Sequence, residues 1–311
     1  MSAPPLILGT MYFGTTVPEA TARDILDAYA DAGGRVLDTA NCYAFWANPT
    51  GHGGQSEAVI GRWLADRPGM RDRVEIATKV GVEPAGGGGV QGLGPSVIRR
   101  EVERSRARLG TDVIDVYWAH ADDRDTPLAD TVVALARLVA EGAVRRLGAS
   151  NYATWRLERA RALAREAGAE PFTAVQLADS YVHRRPDAPD ADRYHRFGAV
   201  TEETRDFMDA HDDVDLWVYS PLLRGAYDRA DRPLPDSYRH PGTTDRLRVL
   251  GEVAAELGAT PGQVVLAWLA RPGGRVRPIA GVSSVRQMES ALAGAALDLP
   301  AELRDRLDRA G

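Results

Sequence analysis

A short apolar run, Val74-Glu75-Ile76-Ala77-Thr78-Lys79-Val80, predicts a buried β-strand with a lysine near its end. Lys79 is the one lysine of the chain, and the other residues among its 38 lysines and arginines are all arginine. An ammonium is a compact point charge whose pKa shifts readily on burial, which a guanidinium's does not. Chemistry that needs an ammonium would explain the exception. A chance survivor in an arginine-rich chain explains it equally well from this residue alone.

The strand at 74–79 is one of eight predicted strands that alternate with helices along the chain. The other strands are expected at 6–10, 35–39, 113–118, 144–149, 173–177, 214–219 and 276–280. The helices are expected from Pro18 to the Gly33-Gly34 pair, and at 56–65, 95–109, 128–141, 153–168, 199–211, 243–257 with 261–271, and 285–296. Eight consecutive strand–helix units predict a single α/β domain, residues 1–311, folded as a (β/α)8 TIM barrel. A doubly wound sheet is the weaker alternative, because no GxGxxG motif follows the first strand.

Loop lengths indicate which end of the barrel carries the site. The helix-to-strand connections are short, whereas long strand-to-helix connections are expected at 40–55, 81–94, 178–198 and 220–242. These long loops collect at the C-terminal face of the strands, where barrel active sites lie.

Composition excludes several classes of protein. The net charge of −6 argues against a nucleic-acid or anionic-membrane partner, and no apolar stretch is long enough for a membrane span. A single cysteine excludes an internal disulfide framework, and the six histidines show no metal-ligand spacing. The N-terminus lacks the charged start of a signal peptide. We therefore expect a soluble cytoplasmic protein without a metal, either a monomer or a weak homo-oligomer.

Four polar residues, here called the tetrad, lie at or just beyond predicted strand ends: Asp38, Tyr43, Lys79 and His120. They follow strands two, three and four, which are neighbours in a barrel, and the strand-end residues share the parity of the interior face. Asp38 would neutralise a buried ammonium. The cation would lower the pKa of Tyr43 and make it a better acid, while His120 could donate a hydrogen bond to a substrate oxygen.

Each tetrad residue also has an ordinary structural interpretation. Asp38 could cap a turn, Tyr43 could pack in a loop, and His120 could be a satisfied core histidine. The coincidence of all four at one face of one barrel favours the catalytic interpretation.

The chain resembles the aldo-keto reductase superfamily over essentially its whole length. The stretches that carry the resemblance are Leu8 to Met11, Asp38 to Tyr43, Ser56 to Gly61, Ala77 to Val80, Tyr117 to His120, Gly148 to Tyr152, Val175-Gln176 and Tyr219 to Leu222. The family's Asp-Tyr-Lys-His tetrad falls on the same four residues.

The resemblance implies a nicotinamide cofactor, with NADPH preferred and NADH possible. Ser150, Asn151 and Gln176 match the residues that hold the carboxamide, and Tyr219 matches the aromatic residue that stacks on the nicotinamide ring. The full set of cofactor-binding residues is expected to be Thr10, Met11, Asp38, Ser150, Asn151, Gln176, Tyr219, Ser220, Pro221, Leu222, Gly225, Gly281, Ser283, Arg286 and Gln287. Ser150-Asn151 would also fit the N-cap of the helix at 153–168. One departure is Ser290-Ala291, where many members have Glu-Asn against the adenine.

The expected function is that of an NAD(P)H-dependent oxidoreductase that reduces a small aldehyde or ketone, with Tyr43 as proton donor. The residues expected to line the substrate cleft are Tyr12, Tyr43, Phe45, Trp46, Trp118 and His120, of which the aromatic ones could equally be core residues. Two alternatives remain open. One is a non-catalytic, cofactor-binding regulatory subunit. The other is a barrel lyase that uses Lys79 as a Schiff-base amine, although Asp38 would keep that amine protonated.

Overall fold

A computed structural model describes residues 5–185, 187–188, 195–270 and 274–311. Its strands are β1 Ile7–Gly9, β2 Val36–Asp38, β3 Glu75–Val80, β4 Pro84–Ala85, β5 Gly89–Val90, β6 Ile114–Ala119, β7 Val144–Ser150, β8 Ala174–Ala178, β9 Asp215–Tyr219 and β10 Val276–Gly281. Its helices are α1 Glu19–Asp31, α2 Gln55–Ala65, α3 Pro95–Leu109, α4 Leu128–Ala140, α5 Thr154–Glu166, α6 Glu202–Ala210, α7 Pro241–Leu257, α8 Pro261–Leu269, α9 Val285–Ala295 and α10 Ala301–Asp308.

Eight of these strands close into a parallel barrel in the order β1-β10-β9-β8-β7-β6-β3-β2. The prediction of a (β/α)8 barrel is therefore confirmed. Strands β2, β3 and β6 are neighbours, with Asp38 in register with Ala77 and Lys79 in register with Trp118. The C-terminal ends of these three strands thus lie side by side, as the position of the tetrad requires.

The barrel interior is filled by side chains that alternate with outward-facing ones. This interior cluster consists of Ile7, Val36, Ala77, Val116, Trp118, Ala174, Trp217 and Ile279. Trp118 and Trp217 meet edge to face with their ring centroids 5.0 Å apart. A Cβ atom on Gly148 would lie 2.2 Å from the Trp118 ring, so that position has room for glycine alone. The predicted parity is confirmed, because Val36, Ala77 and Trp118 all lie in this cluster.

The helices pack around the outside of the barrel, where close contacts and buried polar groups hold them in place. A Cβ atom on Gly61 of α2 would lie 2.0 Å from the Arg108 carbonyl oxygen, so the two helices α2 and α3 approach closely there. Glu57 of α2 is fully buried. Its carboxylate accepts hydrogen bonds from Thr78 of β3 at 2.6 Å and from Arg108 of α3 at 2.5 Å. One buried carboxylate therefore joins two helices to the strand that carries Lys79.

Local structure departs from the predicted bounds in three places. Helix α6 begins at Glu202 and not at 199, because Thr201 caps it and Ala199 pairs with Ala178 as a parallel bridge. The loop at 81–94 contains the small antiparallel hairpin β4–β5. The expectation that Ser150-Asn151 caps the following helix is wrong, because α5 begins at Thr154 with Ala153 in the N-cap position. Across the described residues, no helix combines the length and apolar character needed to cross a membrane.

Candidate active site

Lys79 is the centre of a hydrogen-bonded group at the C-terminal ends of β2 and β3. Its side chain is fully buried, and Asp38 is 2% exposed. The ammonium donates to Asp38 Oδ2 at 2.6 Å and to the Thr39 carbonyl oxygen at 2.8 Å. A third, short hydrogen bond goes to the Tyr43 hydroxyl. The three protons of the ammonium thus have three acceptors, which compensates for part of the cost of burying a charge.

Tyr43 lies in the turn that follows β2, and its side chain is partly exposed. Its hydroxyl donates to Asp38 Oδ2 at 2.9 Å while it accepts from Lys79, and Lys79 Nζ lies 4.4 Å from the ring centroid. The next residue, Ala44, adopts a left-handed conformation with φ of 53°, which reverses the chain after the tyrosine. The phenol is therefore held between an ammonium and a carboxylate.

The expectation that Lys79 lowers the pKa of Tyr43 is wrong in this environment. Burial and the adjacent Asp38 carboxylate raise the pKa of Tyr43 well above 10.0, although a neighbouring cation alone would lower it. The same burial lowers the pKa of Lys79, and the attraction of Asp38 opposes that shift. The phenol consequently keeps its proton at neutral pH, which is the state that a proton donor requires.

His120 follows β6 and has a fixed backbone and a neutral ring. Its N–H donates to the Val80 carbonyl at 3.0 Å, and its own carbonyl accepts from Asn151 Nδ2 at 2.9 Å. The ring meets the Tyr43 ring edge to face, with centroids 5.9 Å apart. Burial and then the charge of Lys79 lower the pKa of His120 well below 6.5. A neutral imidazole can donate one hydrogen bond to a polar group beside Tyr43.

The four residues expected around a nicotinamide lie in one connected network. The Tyr219 hydroxyl donates to Asn151 Oδ1 at 2.8 Å, and Asn151 Nδ2 donates to Ser150 Oγ at 3.0 Å. Gln176 Nε2 donates to Asp38 Oδ1 at 3.0 Å, which ties this network to the tetrad. Ser150, Asn151 and Gln176 are each at least 95% buried at the ends of neighbouring strands. Hydroxyl and amide groups provide both the donors and the acceptors that a carboxamide needs.

The absence of a side chain at Gly198 leaves room for the hydrogen-bonded groups of this network. A Cβ atom there would lie 2.6 Å from Asn151 Oδ1 and 3.1 Å from the Tyr219 hydroxyl. The Gly198 carbonyl also accepts hydrogen bonds from Ala178 N and from the Tyr219 hydroxyl. The loop at 198 therefore rests directly on the expected nicotinamide residues, and a larger side chain would displace them.

The loop after β9, which carries several of the expected cofactor-binding residues, is tightly turned. Ser220, Leu223 and Arg224 have φ between 46° and 60°, and Gly225 has φ of 91°. The N–H groups of Leu223 and Gly225 donate to the Ser220 and Leu222 carbonyls, so they are used within the loop. Pro221 is buried and its carbonyl accepts from Ser180 Oγ at 2.6 Å, whereas Leu222 is partly exposed. A contact of this loop with the cofactor stays a prediction.

Four of the expected cofactor-binding residues lie together around the start of α9: Gly281, Ser283, Arg286 and Gln287. Ser284 caps this helix and accepts from Gln287 N, and Ser283 donates through both its N–H and its hydroxyl to Gln287 Oε1. Arg286 is exposed in the first turn, and Gly281 is exposed at the end of β10. A helix N-terminus with a nearby guanidinium is suited to a phosphate. A contact of these residues with a cofactor phosphate stays a prediction.

Two further cofactor-site candidates follow β1. Thr10 is fully buried, and its hydroxyl donates to the Asp38 carbonyl at 2.9 Å and meets Ser56 Oγ at 2.7 Å. Met11 is partly exposed. The Thr10 side chain thus holds the end of β2, and a contact of either residue with a cofactor stays a prediction.

The aromatic residues expected to line the cleft occupy different environments. Tyr12 and Phe45 are partly exposed, and Trp46 is 58% exposed and meets Phe45 edge to face at 5.1 Å. Trp118 is fully buried in the interior cluster. The expectation that Trp118 lines an open cleft is therefore wrong: it lies two residues before His120 and points into the packed barrel, where it supports the site from below.

Sequence reasoning missed several residues that shape the site. Ser56, Thr39 and Thr10 form a buried hydroxyl cluster around the end of β2, with Oγ atoms of Thr39 and Ser56 2.8 Å apart. Cys42 Sγ lies 3.4 Å from His120 Nδ1. The position of Cys42 directly before Tyr43 in the chain was the one sequence signal that the thiol lies near the site. Nothing in the local sequence indicates the contacts of Ser56 or Gly198, because their partners come from distant segments.

The protein is thus a closed parallel barrel that holds a buried lysine, an aspartate and a tyrosine together at its C-terminal face. The model of the Aldo/keto reductase family matches residues 5–311. An aldo-keto reductase of Strobilurus tenacellus is 30% identical over 94% of this chain and 81% of its own length. The uncharacterized oxidoreductase YrpG of Bacillus subtilis is 30% identical over 96% of this chain and 89% of its own. An aryl-alcohol dehydrogenase of Pestalotiopsis microspora is 27% identical over 96% of this chain and 76% of its own length.

The chain therefore belongs to the aldo/keto reductase family. The family and these oxidoreductase relatives indicate that this protein is an oxidoreductase. Members of the family generally bind nicotinamide cofactors.

Proposed function

We propose that the protein is an NADPH-dependent carbonyl reductase in which Tyr43 protonates the substrate oxygen. The observation that carries this proposal is the position of the Tyr43 hydroxyl, which accepts from Lys79 and donates to Asp38 while its ring is partly exposed. A bound nicotinamide would supply the hydride. The residues that would hold its carboxamide are Ser150, Asn151 and Gln176, with Tyr219 beside the ring.

The tetrad residues have distinct parts in this reaction. A carbonyl oxygen placed near Tyr43 and His120 would receive a hydrogen bond from the neutral imidazole and a proton from the phenol. As the proton leaves, Lys79 would stabilise the phenolate through the hydrogen bond that it already makes to that oxygen. Asp38 orients the ammonium through the 2.6 Å contact. The preorganised dipoles and charges need no rearrangement when charge develops.

Aromatic aldehydes and ketones are the substrates that we propose. The edge-to-face pair of Phe45 and Trp46 follows Tyr43 by two and three residues, and Trp46 is largely exposed. Exposed aromatic rings favour stacking with an aromatic ligand. The name of the Pestalotiopsis relative, an aryl-alcohol dehydrogenase, is in keeping with this class.

The geometry favours the reductase over both alternatives. A Schiff-base lyase needs a neutral, accessible amine, whereas Lys79 is fully buried and directs its protons to three acceptors. A non-catalytic cofactor-binding subunit has no need of an intact proton-donor group. Tyr43, Lys79 and Asp38 form such a group here.

The proposal is tested by measuring the turnover rates of a panel of carbonyl compounds at a fixed NADPH concentration. Benzaldehydes, aryl ketones and sugar-like keto compounds would be compared by the loss of NADPH absorbance and by product analysis. We expect alcohol products and a preference for the aromatic carbonyls. Binding of NADPH without turnover of any carbonyl would support the regulatory subunit. A borohydride-trapped adduct on Lys79 would support the lyase.

A further inference from the structure

The single cysteine of the chain is held rigidly beside the proposed proton donor. Cys42 directly precedes Tyr43 and is 4% exposed, and its Sγ lies 3.4 Å from His120 Nδ1. The loop containing Gly53 lies against this turn, where a Cβ atom on Gly53 would come within 2.5 Å of the Cys42 Cα. The backbone of residue 42 therefore has little freedom, and the direction of the thiol is determined by the fold.

The backbone of His120 is also fixed, so the remaining variables are the orientation of its ring and the nitrogen that carries the proton. Its N–H and carbonyl bond to Val80 and Asn151. Cys42 is the partner of Nδ1, and among the described residues no hydrogen bond reaches Nε2. In a neutral histidine one ring nitrogen donates and the other accepts, so the role of Nδ1 determines the role of Nε2.

The direction of the Cys42–His120 hydrogen bond follows from the chemistry of the two groups. Burial raises the pKa of Cys42 to about 12, so the thiol keeps its proton. The imidazole is neutral at pH 7, because burial lowers its pKa. A pyridine-type ring nitrogen is a better acceptor than a thiol sulfur, which is a weak one. The S–H group therefore donates to Nδ1, and the ring proton is left on Nε2.

We propose that Cys42 is a positioning residue that selects the Nε2–H tautomer of His120 and directs that N–H to the substrate oxygen. The effect on the reaction rests on the function proposed above, whereas the effect on the tautomer does not. Without the thiol, the Nδ1–H tautomer becomes accessible, and in it Nε2 would face a carbonyl oxygen as a second acceptor. Such a pair repels and does not orient the substrate.

Two substitutions separate hydrogen-bond donation from packing. Cys42→Ala removes the donor and a little volume. Cys42→Ser keeps a donor, but because its side chain is shorter, its oxygen and His120 Nδ1 must approach each other by roughly 0.6–1 Å for a hydrogen bond to form. Long-range 1H–15N spectra of 15N-histidine protein identify the protonated nitrogen, and the His120→Gln variant assigns the His120 signals. The parent and Cys42→Ser should show Nε2–H, and Cys42→Ala a mixture of tautomers. An Nδ1–H form in the parent, or the parent pattern unchanged in Cys42→Ala, overturns the proposal.

Kinetics then test the catalytic consequence. We expect kcat of carbonyl reduction to fall about three- to tenfold in Cys42→Ala, as for the loss of one neutral hydrogen bond, and to recover in Cys42→Ser. The dissociation constant for NADPH should stay at the parent value in both. Equal kcat losses in the two variants would show that packing matters and would overturn the positioning role. If the parent reduced no carbonyl, the proposed function would fail, while the spectra would still decide the role of the thiol.

Discussion

Gln176 Nε2 donates a hydrogen bond to Asp38 Oδ1 at 3.0 Å, although the two residues are 138 positions apart in the chain. The other oxygen of the same carboxylate accepts from Lys79 and Tyr43. Asp38 lies on β2 and Gln176 on β8, which are separated in the barrel, so this bond crosses the barrel mouth. One carboxylate therefore joins the residues proposed to hold the carboxamide to the proposed proton donor.

Tyr43→Phe should reduce carbonyl turnover by about a hundredfold or more, because general acid catalysis typically contributes about 10²–10⁴. Binding of NADPH should persist, since the ring remains and only the hydroxyl is lost. Turnover and quenching of protein fluorescence by NADPH would be measured together. Tyr117→Phe is a matched control, because the Tyr117 hydroxyl is buried and has no partner among the described residues. Near-parent turnover in Tyr43→Phe would remove Tyr43 from its proposed role.

Lys79→Arg should be nearly inactive, even though the chain uses arginine at every other cationic position. The Lys79 site is fully buried, with three acceptors placed around a point charge. A guanidinium is larger and planar, and it would displace Asp38 or Tyr43. The reverse change at an exposed ion pair, Arg99→Lys, serves as the control and should leave kcat/KM unchanged. Retention of about a third of the parent kcat/KM in Lys79→Arg would contradict the point-charge argument.

The pH titration of Tyr43 should begin only in strongly alkaline solution. Its pKa is raised above 10.0 by burial and by Asp38, so the folded protein disfavours the phenolate. The measurement is the phenolate absorbance of the parent minus that of Tyr43→Phe, which should stay at zero up to pH 10. The raised pKa contributes stability that is fully present below pH 10 and is lost as the pH rises through the pKa of the folded state. A difference signal near pH 8 would show that Lys79 dominates instead.

Glu57→Gln should lower the free energy of unfolding by about 3 kcal/mol, because removal of one partner of a buried ion pair leaves the other uncompensated. Glu57 is fully buried, and its partner Arg108 is partly exposed, which places the loss at the lower end of the usual range. The measurement is urea unfolding, with the m-value expected to stay constant. Glu141→Gln breaks a solvent-exposed pair with Arg99 and should leave the midpoint nearly unchanged. Equal midpoints for the two variants would contradict a structural role for Glu57.

Arg286→Ala should reduce the preference for NADPH over NADH. Arg286 is exposed in the first turn of α9, beside Ser283 and the cap Ser284. A charge-assisted contact with the 2′-phosphate is expected to contribute about 1.5–3 kcal/mol, or roughly ten- to hundredfold. Dissociation constants for both cofactors would be compared in the parent and the variant. Arg309→Ala, an exposed arginine after α10, is the control. Equal affinities in the parent, or an unchanged ratio in Arg286→Ala, would exclude Arg286 from the site.

The eight-unit alternation and the parity at three strand ends were readable from the sequence. They allowed the barrel to be predicted and Asp38, Lys79 and His120 to be assigned to one face, because strand periodicity is local and barrel closure makes successive strands neighbours. The predicted N-cap role of Ser150-Asn151 was wrong because a local signal was overridden by contacts with distant residues. A polar pair before a helix is a local capping signal, but the contacts of Asn151 with His120 and Tyr219 hold it elsewhere.

The order of the elements, the closed barrel and the face on which the polar strand ends meet were all predictable from the amino-acid pattern. Four features depended on the three-dimensional arrangement: the direction of the Tyr43 pKa shift, the burial of Trp118, the contact of Cys42 with His120 and the hydrogen bond from Gln176 to Asp38. Periodicity and turn signals act only over a few neighbouring residues. Desolvation and side-chain hydrogen bonds depend on which groups from distant segments share a small, water-poor volume.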